Sequence, residues 1–595
     1  MCGIFGIITL KPRAIGRDLT AGGKRLSYRG YDSVGCAVMS DGKIDLRKDV
    51  GKVDEVSKKL NFSEMHGDRG VMQLRWATFG APSKNNAQPH LDCDGDMVGA
   101  HNGNIVNTPQ LREQFIREGH RVRSTNDGEL CVHAVEKYYD EGYNMVDSIR
   151  KAYGDLRGDY ALIIFNNKEK KLYAVKKGSG LVVGIGKNEM YCSSDLPSLL
   201  PLTKKIIFLS DGEIVSLSPK EAKVFGVGDG KEIKKKIIEY RENAEHAKKG
   251  GYEHFMLKEI NEQPVAVEDL VELLDESKYA DKFLDVIKSS DKVFFVGCGS
   301  SYHACLIGSY YFGNIAKKVV IPVVAPQFIS EYGHTVDDKT CVVLVSQSGE
   351  TKDVINAMNY AKDRTDRILG VINVIGSTLM NSSKVYLPLA AGYEVSVPAT
   401  KTFINQCVMF LYLAKKMGGK SCDDMKKLPP LIKDTIESTK DDCKRLAGYL
   451  KKWDDMYCLG YGSTYGIAKE AALKIKEVTY SHCEGMYSSE FKHGPLSAVK
   501  RGYPVIFISS LKDGDAMVSH MNEVTCRGGK AISIAERSES MARNASELIE
   551  LPHSTDYFSP LLAAIPAQLI AYYLSVSRGI DPDFPRNLSK TITVD

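Results

Sequence analysis

The chain has 595 residues, which is more than one hydrophobic core can organise, so two to four domains are expected. Its 43% hydrophobic and 26% charged residues are typical of a soluble globular protein. The 79 basic and 75 acidic residues leave a net charge of +4, which gives no reason to expect nucleic acid or a membrane surface as a partner.

The cysteines and the apolar segments exclude further classes of protein. Fourteen cysteines are scattered along the chain with no pair at C-x-x-C spacing, so we expect free thiols in a reducing cytoplasm and no metal centre. No apolar run approaches the roughly 20 residues that a membrane span needs. The apolar segment 1–10 lacks a preceding basic region and is predicted to be a buried strand rather than a signal peptide.

The first candidate for chemistry is Cys2, which follows the initiator Met1. If Met1 is removed, Cys2 carries both a thiol, with a pKa of about 8.5, and an α-amine, with a pKa of about 8. The amine can accept the thiol proton directly or through a water molecule, and the thiolate can then attack an amide carbon. The alternative is an incidental buried cysteine.

Four residues further along the chain could serve the same substrate. Arg75 offers a guanidinium that can bind a carboxylate in bidentate fashion, and Asp127 can pair with an ammonium group. The Asn102 amide and the Gly103 backbone N–H can hold the oxyanion of a tetrahedral intermediate. Taken singly, these residues could instead be a surface ion pair, a solvated carboxylate and a hairpin turn. Together they fit an amino acid that has a side-chain amide.

The motifs that contain these residues resemble the class II glutamine amidotransferases. They are Met1-Cys-Gly-Ile4, Tyr28-Arg-Gly-Tyr-Asp-Ser33, Arg75-Trp-Ala-Thr78 and His101-Asn-Gly-Asn104. The resemblance implies an N-terminal-nucleophile hydrolase fold with αββα layers and Cys2 as nucleophile, its own amine being the base. It also implies an oxyanion hole at Asn102 and Gly103, glutamine binding by Arg75 and Asp127, and Trp76 near the mouth of an ammonia passage. Phe79, Gln88 and Asn126-Asp-Gly-Glu129 depart from the family pattern.

The composition changes twice along the chain. Short β-rich runs at 158–165 and 171–175 continue the first domain, which is predicted to span 2–225. Residues 226–254 are charged and then glycine-rich, as in a linker. Beyond residue 255, short continuously apolar runs at 293–296, 341–345, 456–459 and 504–508 alternate with helical stretches. Such strands are buried on both faces, as in parallel α/β sheets.

This second half contains an internal repeat. Gly297-Cys-Gly-Ser-Ser-Tyr302 and Gly460-Tyr-Gly-Ser-Thr-Tyr465 each follow an apolar run, at an offset of 460 − 297 = 163 residues. The same offset carries Ser346 onto Ser509. We therefore predict two copies of one α/β unit, over 255–430 and 431–595.

The segment Ser346-Gln-Ser-Gly-Glu-Thr351 lies between a buried strand and a helical stretch. Hydroxyls and backbone N–H groups at a helix N-terminus suit a phosphate, and the carboxyl end of a parallel strand is where α/β sheets bind ligands. A plain serine N-cap is the alternative. The segment resembles the signature of the sugar isomerase (SIS) family, whose domains are flavodoxin-like and bind phosphosugars. The candidate ligands are Ser301, Ser346, Gln347, Ser348 and Thr351.

A third group of residues points to chemistry on the sugar. Glu470, Lys474 and Glu477 lie at spacings of four and three in a strong helix former, so they share one face. A salt-bridged surface stripe is the alternative. This segment, Glu490-Phe-Lys-His-Gly-Pro495 and the tail 585–595 resemble the glucosamine 6-phosphate synthase family. The resemblance implies that Glu477 moves the C1–C2 proton, Lys474 assists it, Lys590 forms an imine, and His493 opens the ring in the neighbouring subunit's site.

The combined expectation is an enzyme that transfers the amide nitrogen of glutamine to fructose 6-phosphate and isomerises the product. We expect a cytoplasmic homodimer without a cofactor, because the imine would form on a protein lysine. Two alternatives stay open. The first is action on another ketose phosphate, because Val397-Pro-Ala-Thr-Lys401 loses a hydroxyl that normally contacts the sugar. The second is a non-catalytic phosphosugar sensor, which would need neither Cys2 nor Lys590.

Overall fold

The computed structural model describes residues 2–77, 79–239, 249–276 and 278–590, and the chain divides into two units. The described part of the first unit ends at residue 239, and that of the second begins at residue 249. Residues 240–248 of the predicted linker lie outside the described residues, as do Met1, Thr78 and the tail 591–595.

The first unit is built from fifteen strands and five α-helices among its described residues. The strands are β1 (Gly3–Arg13), β2 (Ser33–Ser40), β3 (Lys43–Val50), β4 (Gly67–Arg75), β5 (His90–Leu91), β6 (Met97–Ile105), β7 (Gly158–Asn166), β8 (Leu172–Lys177), β9 (Val182–Ile185), β10 (Glu189–Ser193), β11 (Lys205–Phe208), β12 (Glu213–Leu217), β13 (Ala222–Gly226), β14 (Glu232–Ile233) and β15 (Ile238–Glu239). The helices are α1 (Gly16–Arg25), α2 (Val53–Lys59), α3 (Thr108–Arg117), α4 (Asp127–Asp140) and α5 (Met145–Asp155).

These elements form four layers. One sheet has the strand order β15-β11-β9-β10-β1-β4-β2-β3, and the other has the order β14-β13-β12-β8-β7-β6-β5. Apolar side chains such as Ile4, Val98 and Ile163 fill the space between the sheets. Helices α1 and α2 cover the outside of the first sheet, and α3 to α5 cover the second. This is the predicted αββα arrangement, and the residues 226–239 assigned to a linker contribute β14 and β15 to its sheet edges.

Strand pairing places Cys2 at the edge of one sheet's central strands and Asn102 inside a strand of the other sheet. Strand β1 is buried over its first seven residues because both of its faces are covered. It pairs antiparallel with β4, with Gly3 opposite Leu74, so Cys2 lies beside the end of β4 at Arg75. In the other sheet, Asn102 lies opposite Ala161 within β6 and β7.

The second unit contains ten strands and twelve α-helices among its described residues. The strands are β16 (Lys292–Gly297), β17 (Ile321–Val324), β18 (Thr340–Ser346), β19 (Ile368–Ile372), β20 (Val385–Pro388), β21 (Asp455–Gly460), β22 (His482–Tyr487), β23 (Pro504–Ile508), β24 (Lys530–Glu536) and β25 (Glu547–Leu551). The helices are α6 (Phe255–Glu276), α7 (Tyr279–Lys288), α8 (Ser300–Tyr311), α9 (Ala325–Gln327), α10 (Lys352–Lys362), α11 (Thr378–Ser382), α12 (Lys401–Met417), α13 (Leu428–Leu450), α14 (Tyr465–Thr479), α15 (Gly514–Thr525), α16 (Glu539–Asn544) and α17 (Ser559–Ser577).

Two parallel five-stranded sheets repeat one topology. Their orders are β17-β16-β18-β19-β20 and β22-β21-β23-β24-β25. Counted within each copy, both orders read 2-1-3-4-5, which is the flavodoxin-like order. The predicted duplication is confirmed, and β16 and β21 begin 163 residues apart, since 455 − 292 = 163.

The expectation that no apolar run approaches the length of a membrane span is wrong for one helix. Among the described residues, helix α17 is long and apolar enough to cross a membrane, with a mean hydropathy of 1.4 over an 18-residue window. However, 89% of that window is buried inside the fold, where α17 packs against α13 and α14. A helix that is apolar on all sides is also what the centre of a large core requires.

Candidate active sites

Cys2 lies immediately before β1 and contacts the backbone of Trp76. The Trp76 N–H donates to Cys2 Sγ at 3.3 Å, and the thiol lies 3.4 Å from the Trp76 carbonyl oxygen. Burial raises the pKa of the Cys2 thiol, and the charges of Asp127 and Arg75 also act on it, with opposite signs. Both charged groups are therefore close to the thiol, and a nearby base is needed to remove its proton.

Arg75 is 1% exposed, and it is not a surface ion-pair partner. Its Nη2 donates to the Phe79 carbonyl oxygen and, at 2.6 Å, to that of Gly80. Its Nη1 is buried and has no hydrogen-bond partner among the described residues. A buried guanidinium N–H without an acceptor is costly, so this atom favours an external acceptor such as a carboxylate. Phe79, which departs from the family pattern, supports Arg75 through its backbone.

Asn102 and Gly103 lie inside β6 and not in a hairpin turn. Both side-chain polar atoms of Asn102 are buried without a partner in the described part of the chain. Gly103 has φ +119°, and a Cβ at this position would lie 2.0 Å from the Asp159 carbonyl oxygen, so no other residue fits. Unused, rigidly held donors of this kind are what an oxyanion hole requires.

Asp127 is the first residue of α4 and is buried. Asn126 caps the helix by accepting the Gly128 N–H at 3.0 Å, and its amide donates to Asp127 Oδ1 at 3.2 Å. The other oxygen, Oδ2, accepts the Ile105 N–H at 3.1 Å at the end of β6. The carboxylate is thereby held on the strand that carries Asn102.

In the sequence, Gln88 is only a departure from the family pattern, but in the structure it has a positioning role. Its Oε1 accepts the His101 backbone N–H at 2.7 Å, immediately before Asn102. His90, two residues further on, contacts Asn126 Oδ1 through Nε2 at 3.1 Å. Similarly, Asp32 accepts the Ala77 N–H at 2.8 Å beside Trp76. These partners depend on tertiary contacts that no local pattern reveals.

In the second unit, the 346–351 loop connects β18 to α10. Ser346 Oγ accepts the Gly349 N–H at 3.0 Å and lies 3.1 Å from Thr351 Oγ1. Gly349 has φ +66°, and a Cβ there would meet Ser377 Oγ at 2.0 Å. The helix N-cap is Thr351, and its side chain makes no capping hydrogen bond, so the loop is not a plain serine N-cap.

Further hydrogen bonds fix Gln347 and Ser348 in this loop. The Gln347 carbonyl oxygen accepts the N–H groups of Asn373 and Val374, at 3.3 and 3.2 Å. Ser348 Oγ accepts the Glu350 N–H at 3.2 Å. The hydroxyls thus shape a tight loop at the N-terminus of α10, where an anion is favoured.

Ser301 lies on α8, which follows β16, the strand next to β18. Its Oγ accepts from Gln406 Nε2 at 3.0 Å. The preceding Ser300 donates to Glu470 Oε1 at 2.8 Å, and His303 Nδ1 lies 2.7 Å from Glu470 Oε2. Helix α8 therefore connects the carboxyl edge of the first sheet to the carboxylates of α14.

Glu470, Lys474 and Glu477 share one face of α14, as their spacing predicts, but this face is not a solvated stripe. Lys474 is buried, with Nζ 2.5 Å from Glu477 Oε2 and 3.3 Å from Glu470 Oε1. Burial raises the pKa of Glu477, and the charge of Lys474 opposes this effect. A carboxyl group with a raised pKa beside a fixed ammonium group is suited to moving a proton.

Lys590, the last described residue, forms an ion pair that the sequence did not indicate. Its Nζ lies 2.5 Å from Glu394 Oε2, and Glu394 also accepts the Thr400 N–H at 2.9 Å. Burial disfavours the charge of Glu394, but Lys590 and the hydrogen bonds lower its pKa to about 2. The charge of Lys590 also acts on Glu477, so the two groups lie near each other.

A second buried carboxyl group, Glu259 on α6, contacts Ser396 in the segment after Glu394. Burial, together with repulsion by Glu394, raises the pKa of Glu259 to about 8. His493 is exposed at the end of a 3₁₀ helix (Ser488–His493), of which Ser488 and Phe491 are buried. Among the described residues, no hydrogen bond or ion pair joins it to Lys474 or Glu477.

Comparison with known proteins agrees with this division of the chain. Residues 74–201 match the glutamine amidotransferase domain, and residues 286–416 and 449–578 each match the SIS domain. The chain is 40% identical to the glutamine–fructose-6-phosphate aminotransferase (isomerizing) of Thermococcus kodakarensis and 38% identical to that of Methanothermobacter thermautotrophicus, over 100% of both chains in each case. A solved C-terminal domain of glucosamine-fructose-6-phosphate aminotransferase from Francisella tularensis superposes with a TM-score of 0.51 at 28% identity, covering 56% of this chain and 99% of that chain.

Proposed function

The chain belongs to the glutamine–fructose-6-phosphate aminotransferase (isomerizing) family, and on that premise we propose that it converts glutamine and fructose 6-phosphate to glutamate and glucosamine 6-phosphate. The observation that carries the proposal for the first half is a pair of buried, unpartnered groups in the unit that contains Cys2. These are Arg75 Nη1 and the Asn102 side chain, as counted within the described residues. Arg75 Nη1 can donate to the carboxylate of an amino acid, and the Asn102 amide can donate to the oxyanion that forms at its side-chain amide. One ligand can therefore satisfy both groups.

The glutaminase step, in this proposal, follows the N-terminal-nucleophile mechanism. The α-amine of Cys2 takes the thiol proton, and the thiolate attacks the amide carbon of glutamine. Asn102 and Gly103 donate to the oxyanion, while Arg75 and Asp127 hold the substrate carboxylate and ammonium. Ammonia leaves with the proton from the amine, and water then hydrolyses the thioester to glutamate.

The sugar step requires ring opening, carbonyl activation and a proton transfer. The 346–351 loop and Ser301 are proposed to hold the phosphate. Lys590, once it has lost its proton, forms an imine with the C2 carbonyl carbon and releases the carbonyl oxygen as water; ammonia then displaces the lysine amine and leaves an imine of ammonia at C2. Glu477 removes the C1 proton and returns it to C2, beside the ammonium group of Lys474. His493 is proposed to open the ring in the site of a second subunit, which makes the protein a homodimer.

The proposal is tested by incubating the purified chain with glutamine and fructose 6-phosphate and measuring both products. We expect glutamate and glucosamine 6-phosphate to form in equal amounts. Turnover only with another ketose phosphate would transfer the assignment to that sugar and implicate the altered 397–401 segment. Binding of fructose 6-phosphate without turnover would instead favour the phosphosugar sensor.

The role of Cys2 has a separate test, because the proposal requires that Met1 be removed. Intact mass of the active protein should correspond to a chain that begins at Cys2. A fully active enzyme that retains Met1 would overturn the glutaminase mechanism without affecting the assignment of the sugar half.

A further inference from the structure

Four potential metal ligands that the proposed reaction does not use meet in the first unit. They are Cys93, His120, His133 and Glu136, and their ligand atoms all lie within 4.8 Å of one another. Cys93 lies in the turn between β5 and β6, and His120 follows α3. His133 and Glu136 are one turn apart on α4, and both are buried.

The distances between these atoms approach those of a tetrahedral site. Cys93 Sγ lies 3.6 Å from His120 Nδ1 and 4.0 Å from His133 Nδ1. Zinc bonds of about 2.3 Å to sulfur and about 2.0–2.1 Å to nitrogen imply S···N edges of about 3.6 Å. The two histidine nitrogens lie 2.8 and 2.6 Å from Glu136 Oε2. These two edges would have to open to about 3.3 Å for both nitrogens and the oxygen to bind one zinc ion.

Hydrogen bonding alone leaves part of this cluster unexplained. Both histidines direct the same nitrogen, Nδ1, at the same oxygen of Glu136. The opposite nitrogen of His133, Nε2, is fully buried and has no hydrogen-bond partner within the described part of the chain. It lies 3.8 Å from Glu129 Oε1. A metal on Nδ1 would place the proton on Nε2, facing that carboxylate, which is the usual outer partner of a metal-bound histidine.

We propose that Cys93, His120, His133 and Glu136 form a structural Zn²⁺ site. Binding releases the thiol proton of Cys93 to solvent and uses neutral imidazoles, so the metal, one thiolate and one carboxylate sum to zero charge. Backbone groups already support this state. The Arg121 N–H donates to Cys93 Sγ at 3.2 Å, and the Cys93 N–H donates to Glu136 Oε1 at 2.7 Å. Four protein ligands close the coordination sphere, as in structural zinc sites.

The site would fix the helix that carries Asp127. Its four ligands tie the turn at Cys93 and the segment around His120 to α4. Glu129, also on α4, accepts the N–H groups of Arg123 and Ser124, which follow His120, at 2.7 and 2.6 Å. The metal would therefore position Asp127 through the backbone without contacting a substrate.

Metal content of the full-length protein tests the proposal directly. Because an N-terminal cysteine can itself chelate metals through its amine and thiol, the measurement is made in the Cys2→Ala background. After dialysis against zinc and then zinc-free buffer, we expect about one zinc per chain by elemental analysis. Cys93→Ser should lose this zinc, whereas Cys526→Ser, which changes an exposed cysteine, should retain it.

Cobalt substitution identifies the ligands without a zinc count. Metal-stripped protein titrated with Co²⁺ should show the visible absorption of a tetrahedral site and a thiolate-to-cobalt charge-transfer band. Cys93→Ser should abolish the charge-transfer band and weaken metal binding by more than the roughly 100-fold effect of losing an outer-shell partner. No retained zinc, or a cobalt spectrum unchanged by Cys93→Ser, would overturn the proposal. Neither readout depends on turnover, so the result is independent of the proposed reaction.

Discussion

Replacing Glu259 by glutamine tests the charge balance around Lys590. The pKa of Glu259 is raised to about 8 by burial and by the charge of Glu394, so Glu259 is a neutral acid at pH 7. Its Oε1 accepts the N–H groups of Val395 and Ser396. Ser396 Oγ lies 3.0 Å from the Pro398 carbonyl oxygen and can donate its own proton to it. The protonated carboxyl group of Glu259 can then donate to Ser396 Oγ. A glutamine amide can reproduce each of these hydrogen bonds.

The size and sign of the effect follow from proton linkage. The ordinary pKa of a glutamate is about 4.3, so between about pH 4.3 and pH 8 the unfolded chain has lost a proton that folded Glu259 retains. The contribution of Glu259 to the free energy of unfolding is complete below about pH 4.3. It is lost at about 1.4 kcal/mol per pH unit as the pH rises to about 8. The free energy of unfolding of the wild type should therefore fall by up to about 5 kcal/mol relative to that of Glu259→Gln across this range.

Calorimetry at pH 5.5, 7 and 8.5 measures this difference. Between pH 5.5 and the pKa of about 8, the difference amounts to about 3.4 kcal/mol. One kcal/mol shifts Tm by about 2 °C in large domains, so the variant should gain roughly 7 °C on the wild type over this range. Glu262→Gln is the matched control, because it lies on the same helix and removes ion pairs to Lys258 and Lys401. It should lower Tm by a similar amount at each pH. Parallel Tm curves for Glu259→Gln and the wild type would refute the reasoning.

Three further predictions separate the two reactions. Cys2→Ala should lower glutamine hydrolysis by more than about 10⁴-fold, as loss of a nucleophile does, yet leave phosphosugar isomerisation measurable. Arg75→Lys should raise the KM for glutamine by about 10- to 100-fold, since charge-assisted hydrogen bonds contribute about 1.5–3 kcal/mol, while the KM for fructose 6-phosphate stays constant. Lys590→Arg should keep the ion pair with Glu394 and a nearly unchanged Tm but form no amino sugar, because guanidinium does not form imines.

Each of these predictions has an outcome that contradicts it. Loss of isomerisation in a well-folded Cys2→Ala protein would show that the two sites are not separable. An equal rise in both KM values for Arg75→Lys would indicate a general structural defect, as seen by circular dichroism. Amino-sugar production by Lys590→Arg, measured with glutamine hydrolysis as the internal control, would exclude the imine on this lysine.

The architecture of the chain could be predicted because its signals are local. Continuously apolar runs and the turns at Gly297 and Gly460 repeat at one offset, and both sheets have the same strand order. Helical spacing was sufficient to place Glu470, Lys474 and Glu477 on one face of α14. Composition was less reliable for α17, because a core helix and a membrane span have the same hydropathy.

The partners of the candidate residues could not be predicted, because they are distant in sequence. Glu394 lies 196 residues before Lys590, and it stands in a loop with no periodic pattern. The proposed zinc ligands are spread from Cys93 to Glu136 without the paired spacing of a zinc motif, so the sequence led to the opposite expectation. Contacts of this kind depend on strand order and helix packing, which local patterns do not determine.

The two halves of the chain prepare their ligands in physically different ways. In the first unit, the described structure leaves Arg75 Nη1 and the Asn102 side chain buried without partners, a cost to the fold that a bound amino acid would offset. Near Lys590, the cations are instead paired with carboxylates such as Glu394. A preformed polar pocket needs little rearrangement on binding, whereas a lysine in an ion pair must give up its proton before it can attack a carbonyl. Under the proposed imine mechanism, sugar binding must therefore reorganise this ion pair, and Glu394 contributes to the barrier of that step.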